Sequence, residues 1–159
     1  GKLRMLKGID PLLSPDLLHA LAAMGHGDEI VVVDANFPAA STAQRLIRLD
    51  GASAPDALAA ILSVLPLDSF VDDPLKTMAI VGNARKTPDA VRDFAAVVRR
   101  TQGRKVALTP IERHAFYERA RDAYAIVATG ERRFYGNIII TKGVIDAKGR
   151  IATPAEAAS

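Results

Sequence analysis

Apolar positions along the chain switch repeatedly between helical spacing and short continuous runs. Behind Ser14-Pro15, Leu17, Leu18, Leu21 and Met24 predict a helix, with serine as N-cap, proline in the first turn and Gly25 placed to end it. Glu29–Asp34 (EIVVVD) is a β-branched apolar run, the pattern of a buried strand. Arg45–Leu49 predicts a second strand. Ser53 and Pro55-Asp56 open a helix through Leu65, and Pro66 stops it. Lys76–Val81 predicts a strand ending at Gly82-Asn83. Thr87-Pro88-Asp89 caps a long helix with apolar Val91, Phe94, Ala95 and Val98, closing before Gly103. A strand at Lys105–Thr109, a helix at Ile111–Asp122 and strands at Tyr124–Thr129 and Ile138–Thr141 complete the pattern.

This alternation predicts an α/β fold: one domain over residues 5–145, with a central mostly parallel or mixed sheet and helices on both faces, in three layers. No repeat, low-complexity segment or linker divides the chain. Gly1–Arg4 reads as an addition ahead of Met5, the expected natural start. From Asp146 the apolar content falls, so residues 146–159 are expected to form a mobile tail.

Composition narrows the function classes. The 159 residues suit one core-forming domain, and 49% hydrophobic with 25% charged residues is ordinary for a soluble protein. No run approaches the roughly 20 apolar residues of a membrane helix and no export signal opens the chain, so a cytoplasmic protein with no membrane partner is expected. With no cysteine, disulfides, thiolate metal sites and a cysteine nucleophile are excluded. The net charge of +3 raises nucleic acid as a partner. Basic residues alternate with acidic ones at Arg92-Asp93, Glu118-Arg119 and Arg121-Asp122, and Arg99-Arg100 flanks a helix C-terminus. No nucleic-acid partner is therefore expected.

Three segments carry most of the candidate chemistry. His26, between Gly25 and Gly27, follows a helix end, and an ordinary histidine pKa near ~6.5 suits proton exchange at neutral pH. The helix carbonyls and Asp28 would favour its protonated form. On its own it would as readily be a surface histidine capping a helix. Asp34 ends a strand, where α/β sheets face their ligand crevice; it could grip sugar hydroxyls, orient a histidine or cap the turn into Ala35-Asn36-Phe37-Pro38. Tyr135-Gly136-Asn137 precedes the last strand. It offers a stacking phenol, close backbone approach and an amide, or simply a turn. Arg113 and Tyr117 share a helical face and can point together, or form a salt-bridged surface with Glu112, Glu118 and Arg119.

Other chemistries lack their parts. No Gly-x-Gly-x-x-Gly, Walker-type Gly-Lys-Ser/Thr or Gly-x-Ser-x-Gly occurs. His19, His26 and His114 form no helical metal pair, and His19 lies off the apolar stripe, toward solvent.

In order, MLKGIDPLLSPDLLHALAAMGHGDEIVVVDANFPA and ERHAFYERARDAYAIVATGERRFYGNIIITKGV resemble the D-ribose pyranase and L-fucose mutarotase family, from about Met5 to Val144. Gly-His-Gly-Asp, Ala-Phe-Tyr-Glu-Arg-Ala and Tyr-Gly-Asn are similar to its fucose branch. The resemblance implies a mutarotase without cofactor or metal that interconverts anomers or ring forms of a monosaccharide such as L-fucose. It implies His26 as proton donor and Asp34, Arg113, Tyr135, Gly136 and Asn137 as substrate contacts. It further implies self-association into a ring, a pentamer or decamer, with sites at subunit interfaces, where Tyr135–Asn137 would complete a neighbour's site.

Two positions depart from the fucose pattern. Asn36 stands where fucose-type sequences often carry histidine, and His114 resembles a ligand-contacting histidine of the ribose type. In the expected chemistry His26 serves the ring oxygen, and Asp34 holds hydroxyls and orients His26. The alternative is a sugar-binding accessory of an uptake system without catalysis. Carbon epimerisation would need a base for a C–H proton.

Overall fold

In the computed structural model, which describes residues 5–158, six strands form one mixed sheet. They are β1 (Glu29–Val33), β2 (Leu46–Leu49), β3 (Leu75–Met78), β4 (Thr109–Ile111), β5 (Ala125–Thr129) and β6 (Ile138–Thr141), in the order β2-β5-β1-β6-β3-β4. The strands β1, β2 and β5 run parallel to one another, as do β3 and β4, and β6 lies antiparallel between β1 and β3. All strands except β6 therefore point the same way. Gly1–Arg4, read above as an addition, lie outside the described residues.

Alternate residues of the central strands feed two cores. Ile30 and Val32 of β1, with Ile138 and Ile140 of β6, pack on one face beneath α1 (Pro15–Ala23), α3 (Ala54–Leu62) and α4 (Asp89–Gln102). Val31 and Val33, with Ile139, pack on the other face against α5 (Arg113–Asp122) and the short α2 (Ala39–Thr42). A sheet covered twice has strands that read as continuous apolar runs, which is why Glu29–Val33 and Ile138–Thr141 show no alternation. The expected three layers are present. Among the described residues no helix is long and apolar enough to cross a membrane.

Local chemistry sets the element ends. Ser14 and Ser53 accept from Leu17 N–H and Asp56 N–H, as N-caps should. α1 stops one residue earlier than expected: Met24 is the extended C-cap, and Lys142 Nζ donates to the Leu21 and Met24 carbonyls. α3 ends at Leu62 rather than Leu65.

Three other boundaries move. β3 ends at Met78, because its partner β4 is only three residues long; the chain then turns at Ile80–Asn83 and leaves Val81 exposed. The strand expected at Lys105–Thr109 lies later, at Thr109–Ile111. Its Pro110 lacks an N–H and is tolerated because β4 is an edge strand. α5 accordingly starts at Arg113, with the Glu112 carboxylate accepting from His114 and Ala115 N–H as N-cap.

Around Asp146 the chain turns back and pairs Ile145 with Ile151. It then forms α6 (Pro154–Ala157), whose Thr153 and Glu156 make a capping box.

Candidate active site

Strand direction decides which loops meet. Since β6 opposes β1 and β3, its N-terminal end lies where β1, β3 and β4 finish. Asp34 after β1, Val81 after β3, Arg113 after β4 and Tyr135–Asn137 before β6 thereby share one end of the sheet. Asp34, Val81, Arg113, Tyr135 and Asn137 line a cavity of about 490 Å³, within the range typical of small-molecule sites. Asn36, Phe37, Met78, Tyr117 and Phe134 complete its wall.

Asp34 organises this cavity. It is buried; Oδ1 accepts from the N–H groups of Asn36 and Phe37, each at 3.0 Å, and Oδ2 accepts from Gly136 N–H at 3.2 Å. Its own N–H donates to Asn137 Oδ1 at 2.8 Å. Turn cap and cavity carboxylate are thus one residue, and Oδ2 keeps a lone-pair position. Burial raises the carboxyl's pKa, and the hydrogen bonds from Asn36, Gly136, Phe37 and Asn137 offset part of that rise.

The segment before β6 is held tightly. Tyr135 has φ 60°, a left-handed conformation unusual for a bulky residue, and its hydroxyl accepts from Val81 N–H at 3.1 Å. Gly136 is buried against Glu131, where an added Cβ would stand 2.8 Å from Glu131 Cγ. Arg133 clamps the approach, bonding Glu131 at 3.0 Å and Asp93 at 2.6 Å. Across the cavity the Arg113 guanidinium sits 5.3 Å from the centre of the Tyr117 ring, and Tyr117 tilts against Phe37 at 5.1 Å. This is a cation above an apolar aromatic floor.

His26 is elsewhere. It precedes β1, so the five residues of that strand, roughly 17 Å at about 3.3 Å per residue, separate it from Asp34. Asp34 therefore does not orient His26 within one chain. Asp28 does not either, because its Oδ2 accepts from Gly25 N–H at 2.7 Å. The partner is buried Asp68, with Oδ1 at 2.9 Å from His26 Nε2, and the Phe70 ring stands against the imidazole. Exposed apolar side chains flank both ends: Phe70 and Val71 beside His26, Val81 and Phe134 at the cavity.

A larger cavity of about 770 Å³ lies between α4 and β4, but no carboxylate, imidazole or phenol lines it, so it lacks groups for proton transfer near neutral pH. Among the described residues no cluster of three or more His, Asp or Glu could hold a metal.

The model of the RbsD / FucU transport protein family matches residues 7–145. The chain belongs to this family. It is 49% identical to the fucose mutarotase of Homo sapiens, over 88% of this chain and 94% of that protein. The Streptococcus pneumoniae fucose mutarotase, solved in complex with L-fucose, superposes with a TM-score of 0.83 at 45% identity, covering 89% of this chain and all of that one. The Bacillus subtilis RbsD solved with D-ribose has the same fold, with a TM-score of 0.65 at 21% identity over 89% of this chain and all of that one. Within the RbsD/FucU family this chain thus stands on the fucose side.

Of the residues singled out in the sequence, Asp34, Arg113, Tyr135 and Asn137 line one cavity, with Gly136 packed behind it. Tyr135–Asn137 meet their own chain's Asp34 because β6 is antiparallel to β1. Asn36 and Tyr117 join them, whereas His114 is exposed outside the lining. Asp68 and Phe70 escaped sequence reasoning. Their only signal is an acidic and an aromatic residue between Pro66 and the next strand.

Proposed function

We propose that this chain is a mutarotase that catalyses anomeric or ring-form exchange of L-fucose or a closely similar monosaccharide. The observation that carries the proposal is the cavity uniting Asp34, Arg113, Tyr135 and Asn137 in a fucose-type member of the family. Such a site offers a carboxylate, a guanidinium, a phenol and an amide to a polyhydroxylated ring, over the apolar faces of Phe37 and Tyr117.

Mutarotation breaks the bond between the anomeric carbon and the ring oxygen. The ring oxygen takes a proton from the imidazolium of His26. The anomeric hydroxyl gives its proton to Asp34 as the open-chain carbonyl forms, and closure on the other face reverses both transfers. Burial, by raising the Asp34 pKa, makes it a better proton acceptor than an ordinary aspartate. Arg113 bonds hydroxyls and stabilises negative charge developing on oxygen. Water already performs the reaction, so acid–base assistance of roughly 10²–10⁴-fold suffices.

His26 reaches the cavity from a second copy of the chain. Its distance from Asp34 within one chain supports this reading, as do the exposed apolar residues beside each half. The working form is then a cytoplasmic ring oligomer, a pentamer or a stacked pair of them.

The test is saturation-transfer proton NMR of anomeric exchange, with L-fucose and D-ribose in parallel. Faster exchange of L-fucose is expected. No acceleration with any pentose or deoxyhexose, despite binding, would leave a sugar-binding protein without catalysis.

A further inference from the structure

The His26 half of the site contains one group with no part in the chemistry above. The Asp68 side chain is 1% exposed, while that of its partner His26 is 44% exposed. Oδ2 of Asp68 accepts from Val71 N–H at 3.2 Å, which caps the local turn. That contact leaves Oδ1 unexplained, and Oδ1 lies 2.9 Å from His26 Nε2. The backbone beneath is fixed: Asp68 N–H donates to the Thr141 carbonyl at 3.0 Å. Gly143 packs so closely that an added Cβ would stand 2.8 Å from Asp68 Cα. Phe70 meets the imidazole edge-on, with centroids 4.7 Å apart.

An ionised carboxylate can only accept, so the nitrogen facing it carries the hydrogen. In the neutral ring, Nε2–H leaves Nδ1 bare. We propose that Asp68 is a positioning residue that holds His26 in the Nε2–H tautomer and makes Nδ1 the atom exchanging a proton with the sugar. The proposal rests on the mutarotase reading and deepens it. In ring opening, Nδ1–H of the imidazolium passes its proton to the ring oxygen as the bond to the anomeric carbon breaks, and that bond's electron pair goes to the oxygen. Nε2–H stays with Asp68 throughout, and closure returns the proton to Nδ1. Without the carboxylate, an exposed imidazole would divide between two tautomers and turn about its side-chain bonds, so Nδ1 would meet the sugar correctly only part of the time.

The experiment pairs a long-range ¹⁵N–¹H spectrum of the histidine rings with exchange kinetics of L-fucose, on the wild type, Asp68→Asn and Asp68→Glu. Neutral His26 in the wild type is expected as Nε2–H. In Asp68→Asn the Val71 N–H keeps the amide oxygen, so the amide NH₂ faces Nε2 and the ring shifts to Nδ1–H. Turnover then falls about 10- to 100-fold while KM stays within about threefold, and Asp68→Glu recovers part of the loss. An Nδ1–H ring in the wild type would overturn the proposal, as would a folded Asp68→Asn with unchanged turnover. Should Asp68→Asn fail to fold, the wild-type spectrum and Asp68→Glu decide. The spectrum needs no sugar, so it judges Asp68 even if the wild type accelerates no exchange, an outcome that would instead reject the mutarotase reading.

Discussion

His26 and Asp34 bracket a single strand, β1, with the imidazole at its start and the carboxylate at its finish. If both serve one sugar, each working site combines two chains. Two variants, each disabled in a different half, should then rescue one another. His26→Ala and Arg113→Ala are each expected to be nearly inactive alone. Mixed subunits assembled together should recover activity at about a quarter of their interfaces, the fraction that random mixing leaves with both halves intact. A mixture no more active than its components would show that one chain carries the whole site.

The two halves should also differ kinetically. His26→Ala removes a proton donor and leaves the cavity's hydroxyl contacts in place, so turnover should drop about 10²- to 10³-fold with KM changed less than about threefold. Arg113→Ala removes a contact made to the bound sugar and should raise KM as well. Unchanged turnover in His26→Ala would remove that residue from the mechanism.

Much of this fold was readable from periodicity and caps. Ser14 and Ser53 cap where their sequence context says they should, and the apolar runs at Glu29–Val33 and Ile138–Thr141 are the twice-covered central strands. Strand direction was not readable. A run such as Ile138–Thr141 looks the same whichever way it is inserted, yet its antiparallel setting decides that Tyr135–Asn137 meet Asp34 rather than His26. The partner of His26 was hidden for a related reason. Local sequence offers Asp28, but the pairing of Leu67 with Lys142 brings in Asp68 from 42 residues away. Boundaries near edges slipped as well, because the edge strand β4 pairs with only three residues of β3, Lys76–Met78.

Gly136 should tolerate no side chain. A Cβ there meets Glu131 Cγ at 2.8 Å and the Arg133 carbonyl at 3.3 Å, in a buried setting. Gly136→Ala must push the segment outward, and overpacking of this kind costs about 1–3 kcal/mol. The same shift breaks the Gly136 N–H bond to Asp34 Oδ2, so the apparent affinity for sugar should fall together with the melting temperature. A variant as stable as the wild type with unchanged KM would show that the segment has slack.

Asp34 and Glu131 should give stability opposite dependences on pH. Hydrogen bonds from Arg133, chiefly from its guanidinium, hold the Glu131 carboxyl below the ordinary glutamate value of 4.5. Its ionised form therefore stabilises the fold above that value, and the contribution is lost as pH falls through the depressed pKa. Asp34 is raised above 3.8 by burial, so the folded state binds its proton more tightly than the unfolded state does. Its contribution is complete below 3.8 and is lost as pH rises through the raised pKa. Urea unfolding of the wild type, Glu131→Gln and Asp34→Asn between about pH 3 and pH 7 separates the two. Relative to Glu131→Gln the wild type should gain stability as pH rises, and relative to Asp34→Asn it should lose stability. Differences that stay flat across the range, or slopes of the same sign, would mean that the two carboxyls do not carry these opposed shifts.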